Sequence, residues 1–250
     1  MKAPAFLLHT TVAALAAITS CQPAPSQKND SLTPAATGPQ IQLTQRILSH
    51  EEQARLTPDE ILSQLQAGNA RFMQSRATQR QHDALTRESS GGQWPKALVL
   101  SCADLRVPPE DIFDQGLGDL DVLRISGNRP NDALLANMAL ACRKDGVKVI
   151  VILGHDRSLA LRAAIDQLND TTSDVLTDSL KHAVRAAADY PGQHSAVNVG
   201  FVRYVAKKNV AQSVALVTAR NAYLRERVQK GELRVVGAYY DMQSGQVTFL

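Results

Sequence analysis

At 250 residues and 44% apolar, the chain has material for one sizeable core; its length permits one domain or two, and one folded domain is expected. Its 27 Lys and Arg against 24 Asp and Glu leave a net charge of +3, scattered along the chain rather than gathered in a basic stripe. That pattern suggests neither nucleic acid nor an anionic membrane face as a partner.

Residues 1–20 read as an export signal, with Lys2 as the positive start, Phe6 to Ile18 as a short apolar run and Ile18-Thr19-Ser20-Cys21 as the cleavage region. The run is too short to span a bilayer comfortably. Small residues directly before a cysteine look like a lipobox, so Cys21 is expected to become the lipidated first residue of the mature protein. An ordinary secretory signal with a coincidental cysteine is the alternative. Gln22 after that cysteine resembles the sorting habit of outer-membrane lipoproteins, which places the protein on the periplasmic side of a bacterial membrane, the outer one favoured. Residues 21–46 are rich in Pro, Ser, Thr, Gln and Ala. They bury too little to offset ordering entropy and form a flexible tether.

The folded domain is expected over 47–250. Helical spacing begins near Ile47 and strengthens after Thr57-Pro58-Asp59-Glu60, where Thr57 caps, Pro58 suits the first turn and Glu60 completes a capping box. Short, continuously apolar runs at Ala97–Leu100, Val122–Ile125 and Val147–Leu153 suit strands buried on both faces. Asp132 to Lys144 between the last two reads as a helix closed by Gly146. Strand, helix, strand in that order implies a right-handed crossover and a parallel sheet. Leu233–Gly237 gives a fourth strand, and Gln246–Leu250 a short one paired with it across Ser244-Gly245. The fold class is α/β, a mainly parallel central sheet flanked by helices with an N-terminal helical arm.

The carboxyl ends of this sheet, where sites in open α/β folds lie, fall at Cys102, Arg124 and Gly154-His155. Cys102 and Asp104 follow the first strand and His155 the third, and thiolate, carboxylate and imidazole together suit zinc. A Cys and a His so far apart in sequence are also often plain core residues. Cys142 lies in an Ala- and Leu-rich pattern and reads as a small core hydrophobe. In an oxidising compartment one disulfide with Cys102 is conceivable, but the different contexts of the two cysteines argue for different jobs.

Ser101-Cys102-Ala103-Asp104-Leu105-Arg106-Val107-Pro108-Pro109-Glu110, Phe113 to Leu120, Arg124-Ile125-Ser126-Gly127-Asn128 and Gly154-His155, in this order and spacing, resemble the β-class carbonic anhydrase family. The resemblance runs from about Thr57 through Gly92-Gln93-Trp94-Pro95-Lys96-Ala97 to Val236–Asp241. It implies a Zn2+ enzyme that hydrates carbon dioxide to bicarbonate, with Cys102 and His155 as zinc ligands and Asp104 and Arg106 as a carboxylate–guanidinium pair. In the family's resting form this Asp sits on the metal, and in its active form the Arg holds it away. The resemblance also implies that Gln93 hydrogen-bonds substrate, that the Gly127 and Asn128 backbone shapes the pocket wall, and that the helices from Ile47 to Phe72 clasp a partner in a homodimer.

The pattern breaks at the third ligand. Gly154-His155-Asp156-Arg157-Ser158-Leu159 places Ser158 where the family has a cysteine, and a neutral hydroxyl is a far poorer zinc donor than a thiolate. Zinc occupancy is expected to suffer, unless Asp104 stays on the metal or Asp156 swings in; otherwise Asp156 is a solvated loop residue or the partner of Arg157. Leu105, Asp121, Asn137 and Leu159 also depart from the family's residues. The function expected is a carbonic anhydrase-like zinc lyase of reduced activity. The alternatives are a zinc-poor pseudoenzyme serving as a binding or scaffold module, and a hydrolase of carbonyl sulfide or carbon disulfide.

Overall fold

The structure is a computed structural model that describes residues 46–169 and 174–250. The export signal, Cys21 and the tether up to residue 45 lie outside the described residues. Helix α1 (His50–Arg55) starts from a capping box between Ser49 and Glu52. Helix α2 (Pro58–Met73) starts as its sequence predicts, with the Thr57 hydroxyl accepting from the Glu60 amide at 3.2 Å and the Glu60 carboxylate accepting from the Thr57 amide at 2.8 Å.

The N-terminal arm packs on the chain's own body. Gln53 is buried and donates to the carbonyls of Pro95 and Asp145 at 2.7 and 2.6 Å. Lys148 donates its ammonium hydrogens to the carbonyls of Gln53, Ala54 and Leu56. A cation at the carbonyl end of a helix complements its dipole, so α1 is fixed at the amino end of the sheet.

Five strands, β1 (Ala97–Ser101), β2 (Leu120–Arg124), β3 (Val149–His155), β4 (Arg234–Tyr240) and β5 (Val247–Phe249), form one sheet in the order β2-β1-β3-β4-β5. The first four are parallel and β5 is antiparallel to β4. Alternation along the strands feeds two cores. Leu98, Leu100, Ile150 and Ile152 pack with Leu135, Met138, Cys142, Val210 and Leu224 on one face. Val99, Val149, Val151 and Leu153 pack with Ile61, Leu65, Ile112 and Phe113 on the other.

Tertiary pairing moves several boundaries away from the apolar runs. β2 begins at Leu120, because Ala97 pairs with Leu120. β3 begins at Val149 and runs on through Gly154 and His155, paired with Tyr239 and Tyr240 of β4, so His155 ends the strand rather than following it. After the short helices α3 (His82–Glu88) and α4 (Pro109–Ile112), the expected helix over Asp132–Lys144 is α5 (Asp132–Leu140) followed by a π turn at Ala141–Asp145, which Gly146 closes at φ 75°. Between Leu159 and Leu233, where the sequence assigned no elements, lie α6 (Leu159–Asp166), α7 (Val175–Arg185), α8 (Val199–Arg220) and α9 (Ala222–Gln229). α6, α7 and the amino half of α8 share a third core around Leu161, Leu180, Phe201 and Val205.

Candidate metal centre

The carboxyl edge of β1 and β3 brings Cys102 and His155 together. Both are buried, at 4% and 1% exposure, and Cys102 is a free thiol, as is the buried Cys142. Burial pushes the Cys102 thiol up, but the His155 imidazole, with the Gly127 and Asp104 backbone, outweighs it, and the net result lies below the ordinary thiol value. Cys142 has only burial of consequence and is pushed up to about 12, which matches the core role read from its sequence context.

His155 Nδ1 lies 2.7 Å from the Asp156 carbonyl. A carbonyl only accepts, so Nδ1 carries a proton, and in the neutral ring Nε2 then offers its lone pair. Nε2 is buried and has no hydrogen-bond partner. An orphaned imidazole nitrogen beside a thiol biased toward thiolate is the sulfur–nitrogen half of a zinc site.

Asp104 does not join that pair. Arg106 donates to it from its backbone amide at 3.0 Å and from its guanidinium at 2.9 and 2.7 Å, which holds the carboxyl down at about 2. Ser158 is also committed: it is 1% exposed and caps α6, its hydroxyl accepting from the Leu161 amide at 3.5 Å. The expected ligand set of Cys102, Asp104, His155 and Ser158 is therefore not assembled. Among the described residues no three His, Cys, Asp or Glu side chains are grouped to hold a metal. Charge pairing takes Asp104 and capping takes Ser158. The residues present fit zinc as a two-donor site, Cys102 and His155.

Asp156 is not a solvated loop residue but, as the alternative expectation has it, the partner of Arg157. It is 3% exposed, accepts from the Met242 amide at 3.0 Å and lies 3.7 Å from the Arg157 guanidinium, which ties the end of β3 to the β4–β5 connection. Gln93 is exposed ahead of β1. Leu105 and Leu159 are 94% and 68% exposed and Asn137 is exposed on α5. Asp121 is raised by burial and by nearby Asp145.

Two groups have contacts at the site that the sequence reading does not assign: Arg124 stands there at a strand end without a role, and Asn209 is not singled out. Arg124, at the end of β2, donates to the carbonyls of Cys102 and Asp104 at 3.4 and 3.3 Å. Asn209, fully buried in α8, donates to the Gly127 carbonyl at 2.7 Å. Asn209 had a readable signal: it is a polar residue on the apolar stripe Val202, Val205, Ala206, Val210 and Val217.

Residues 97–247 match a family model described as carbonic anhydrase. Carbonic anhydrase 2 of Mycobacterium tuberculosis is 33% identical over 183 residues, covering 73% of this chain and 87% of that protein. A carbonic anhydrase of Mycolicibacterium smegmatis is 29% identical over 184 residues, 73% of this chain and 88% of that one. Among solved structures, the β-carbonic anhydrase CcaA superposes with a TM-score of 0.59 at 24% identity, covering 76% of this chain and 93% of that one, a likeness of fold. The matched segment contains β1 to β4 and both donors of the thiol–imidazole pair, and the chain belongs to the β-class carbonic anhydrase family.

Proposed function

We propose that the protein interconverts carbon dioxide and bicarbonate at Cys102 and His155. The observation that carries this reading is the buried Cys102–His155 pair with its unpartnered Nε2, beside a carboxylate that Arg106 keeps ionised. When bound there, zinc supplies a water whose pKa is brought from about 15.7 toward about 7. The chain's own residues do the rest. Arg106 fixes the Asp104 carboxylate as a hydrogen-bond acceptor that orients an attacking O–H. The Asp156 carbonyl keeps His155 Nε2 pointed into the site.

With the Ser158 hydroxyl committed to capping α6, Cys102 and His155 are the two side chains that would hold zinc, and the ion would be lost easily on purification. Protein purified and dialysed in zinc is expected to hold about one ion per chain and to hydrate carbon dioxide, with both lost in Cys102→Ala. A folded wild-type protein that takes up no zinc at millimolar concentration and shows no hydration would overturn the proposal. If Asp104→Asn loses as much zinc as Cys102→Ala, Asp104 leaves Arg106 to become the third ligand.

The mature protein is further proposed to be a homodimer, anchored through a lipid on Cys21 to the periplasmic side of a bacterial membrane, the outer one favoured. The Ile18-Thr19-Ser20-Cys21 sequence supports the anchor. Sedimentation at the monomer mass would remove the dimer, and unchanged membrane fractionation of Cys21→Ser would remove the anchor.

A further inference from the structure

We infer that Asn209 is a positioning residue for the Cys102 donor, acting through the Gly127 turn; this rests on the metal-site reading only in its last step. Ile125 to Asn128 form a β-turn closed by the Asn128 amide donating to the Ile125 carbonyl at 2.9 Å. Gly127 sits at the third position with φ 77°, which glycine adopts freely there. A Cβ at Gly127 would stand 2.7 Å from the Leu180 side chain, so packing as well as dihedral preference reserves the position.

Two hydrogen bonds then diverge from Gly127. Its amide donates to Cys102 Sγ at 3.4 Å, and its carbonyl accepts from Asn209 Nδ2 at 2.7 Å. The carbonyl can only accept, so the amide orientation of Asn209 is fixed. Asn209 is 0% exposed and its Oδ1 has no hydrogen-bond partner, an expense tolerated in the middle of a long helix for one bond. That bond crosses from α8 to the loop after β2 and fixes the Gly127–Asn128 peptide, which meets at the Gly127 Cα the Ser126–Gly127 peptide whose N–H is aimed at the sulfur. Donation to a thiolate weakens it as a charge donor and fixes its direction, as outer-shell partners do. Asn209 touches neither Cys102 nor a substrate.

The test has a metal-free arm and a metal arm. In the metal-free protein, amide hydrogen exchange at Gly127 is expected to be slow, and at least tenfold faster in Asn209→Ala and in the volume-conserving Asn209→Leu. The amides of Leu100 and Ile152 in the sheet report whether the fold as a whole has loosened. Unchanged Gly127 exchange in a folded variant, or an increase matched across the sheet, overturns the inference. In the cobalt-substituted protein, the thiolate-to-metal charge-transfer band should shift and cobalt affinity change severalfold in both variants, and an unmoved band with unmoved affinity also overturns it. A wild-type protein that binds no cobalt defeats the metal-site reading alone, because Gly127 exchange still decides the role of Asn209.

Discussion

Asp104 and Arg106 are two apart on the loop leaving β1, close enough for the backbone amide and the guanidinium of Arg106 to serve the same carboxylate. The carboxyl is held at about 2 against an ordinary 3.8. A carboxyl whose pKa is lowered by folding contributes stability that is complete above its unfolded value and is lost as pH falls through its folded value. The contribution is therefore whole above about pH 4 and gone near pH 2. Arg106 is half exposed, so its worth is that of a surface pair, roughly 0.2–1 kcal/mol. Calorimetry of Arg106→Ala should show a small deficit against wild type, constant from pH 7 to 5 and closing by pH 2. A deficit that widens as pH falls would mean that another group carries it. The spacing was legible in the sequence; whether Asp104 faces Arg106 or a metal was not, because both partners lie within its reach.

At the level of the element, Ser158 opens α6 with its hydroxyl accepting from the Leu161 amide. Ser158 is a good N-cap, and a capping hydroxyl contributes about 1 kcal/mol. Cysteine is a poorer cap and a far better zinc donor. Ser158→Cys is therefore expected to lower the melting temperature in chelator by about 2–4 °C. It should also raise zinc affinity by more than the roughly 10- to 100-fold typical of outer-shell changes. Equilibrium dialysis and calorimetry on the same preparation measure both. If affinity does not rise, the α6 start is held too far from Cys102 and His155 for a side chain at this position to reach the metal. The serine is plain in the sequence, but its capping role depends on where α6 begins, which packing against α7 and α8 decides.

Across the whole molecule, one buried carboxylate joins segments far apart in sequence. Asp114, its side chain fully buried, accepts from Arg71 of α2 at 2.6 Å and from Arg80 at 2.6 Å, and from the amide and hydroxyl of Thr78 at 2.9 and 2.8 Å. Removing it takes the carboxylate from the mostly buried Arg80, which keeps the exposed Asp111 at 3.4 Å, and from the partly exposed Arg71. Asp114→Ala should cost roughly 3–5 kcal/mol, read as a lowered urea midpoint with an unchanged slope. A loss below about 1 kcal/mol would show that the arginines relax to solvent and that the joint is dispensable.

The α/β class, the apolar runs at Ala97–Leu100 and Val147–Leu153, the capped start of α2 and the family are legible along the chain, because continuous apolar runs, caps and motif spacing are local signals. Packing settles that His155 ends β3, that Asp156 is buried, that Ser158 caps a helix, and that Asn209 reaches the Gly127 turn. Each of these depends on a partner more than 80 residues distant or on which of two available partners a side chain takes: Tyr240 for His155, Met242 for Asp156, Gly127 for Asn209, and the Leu161 amide rather than a metal for Ser158. The metal centre is the point of sharpest contrast. Its donors are readable one by one along the chain, and the competition of Arg106 for Asp104, and of α6 for Ser158, is a property of the fold.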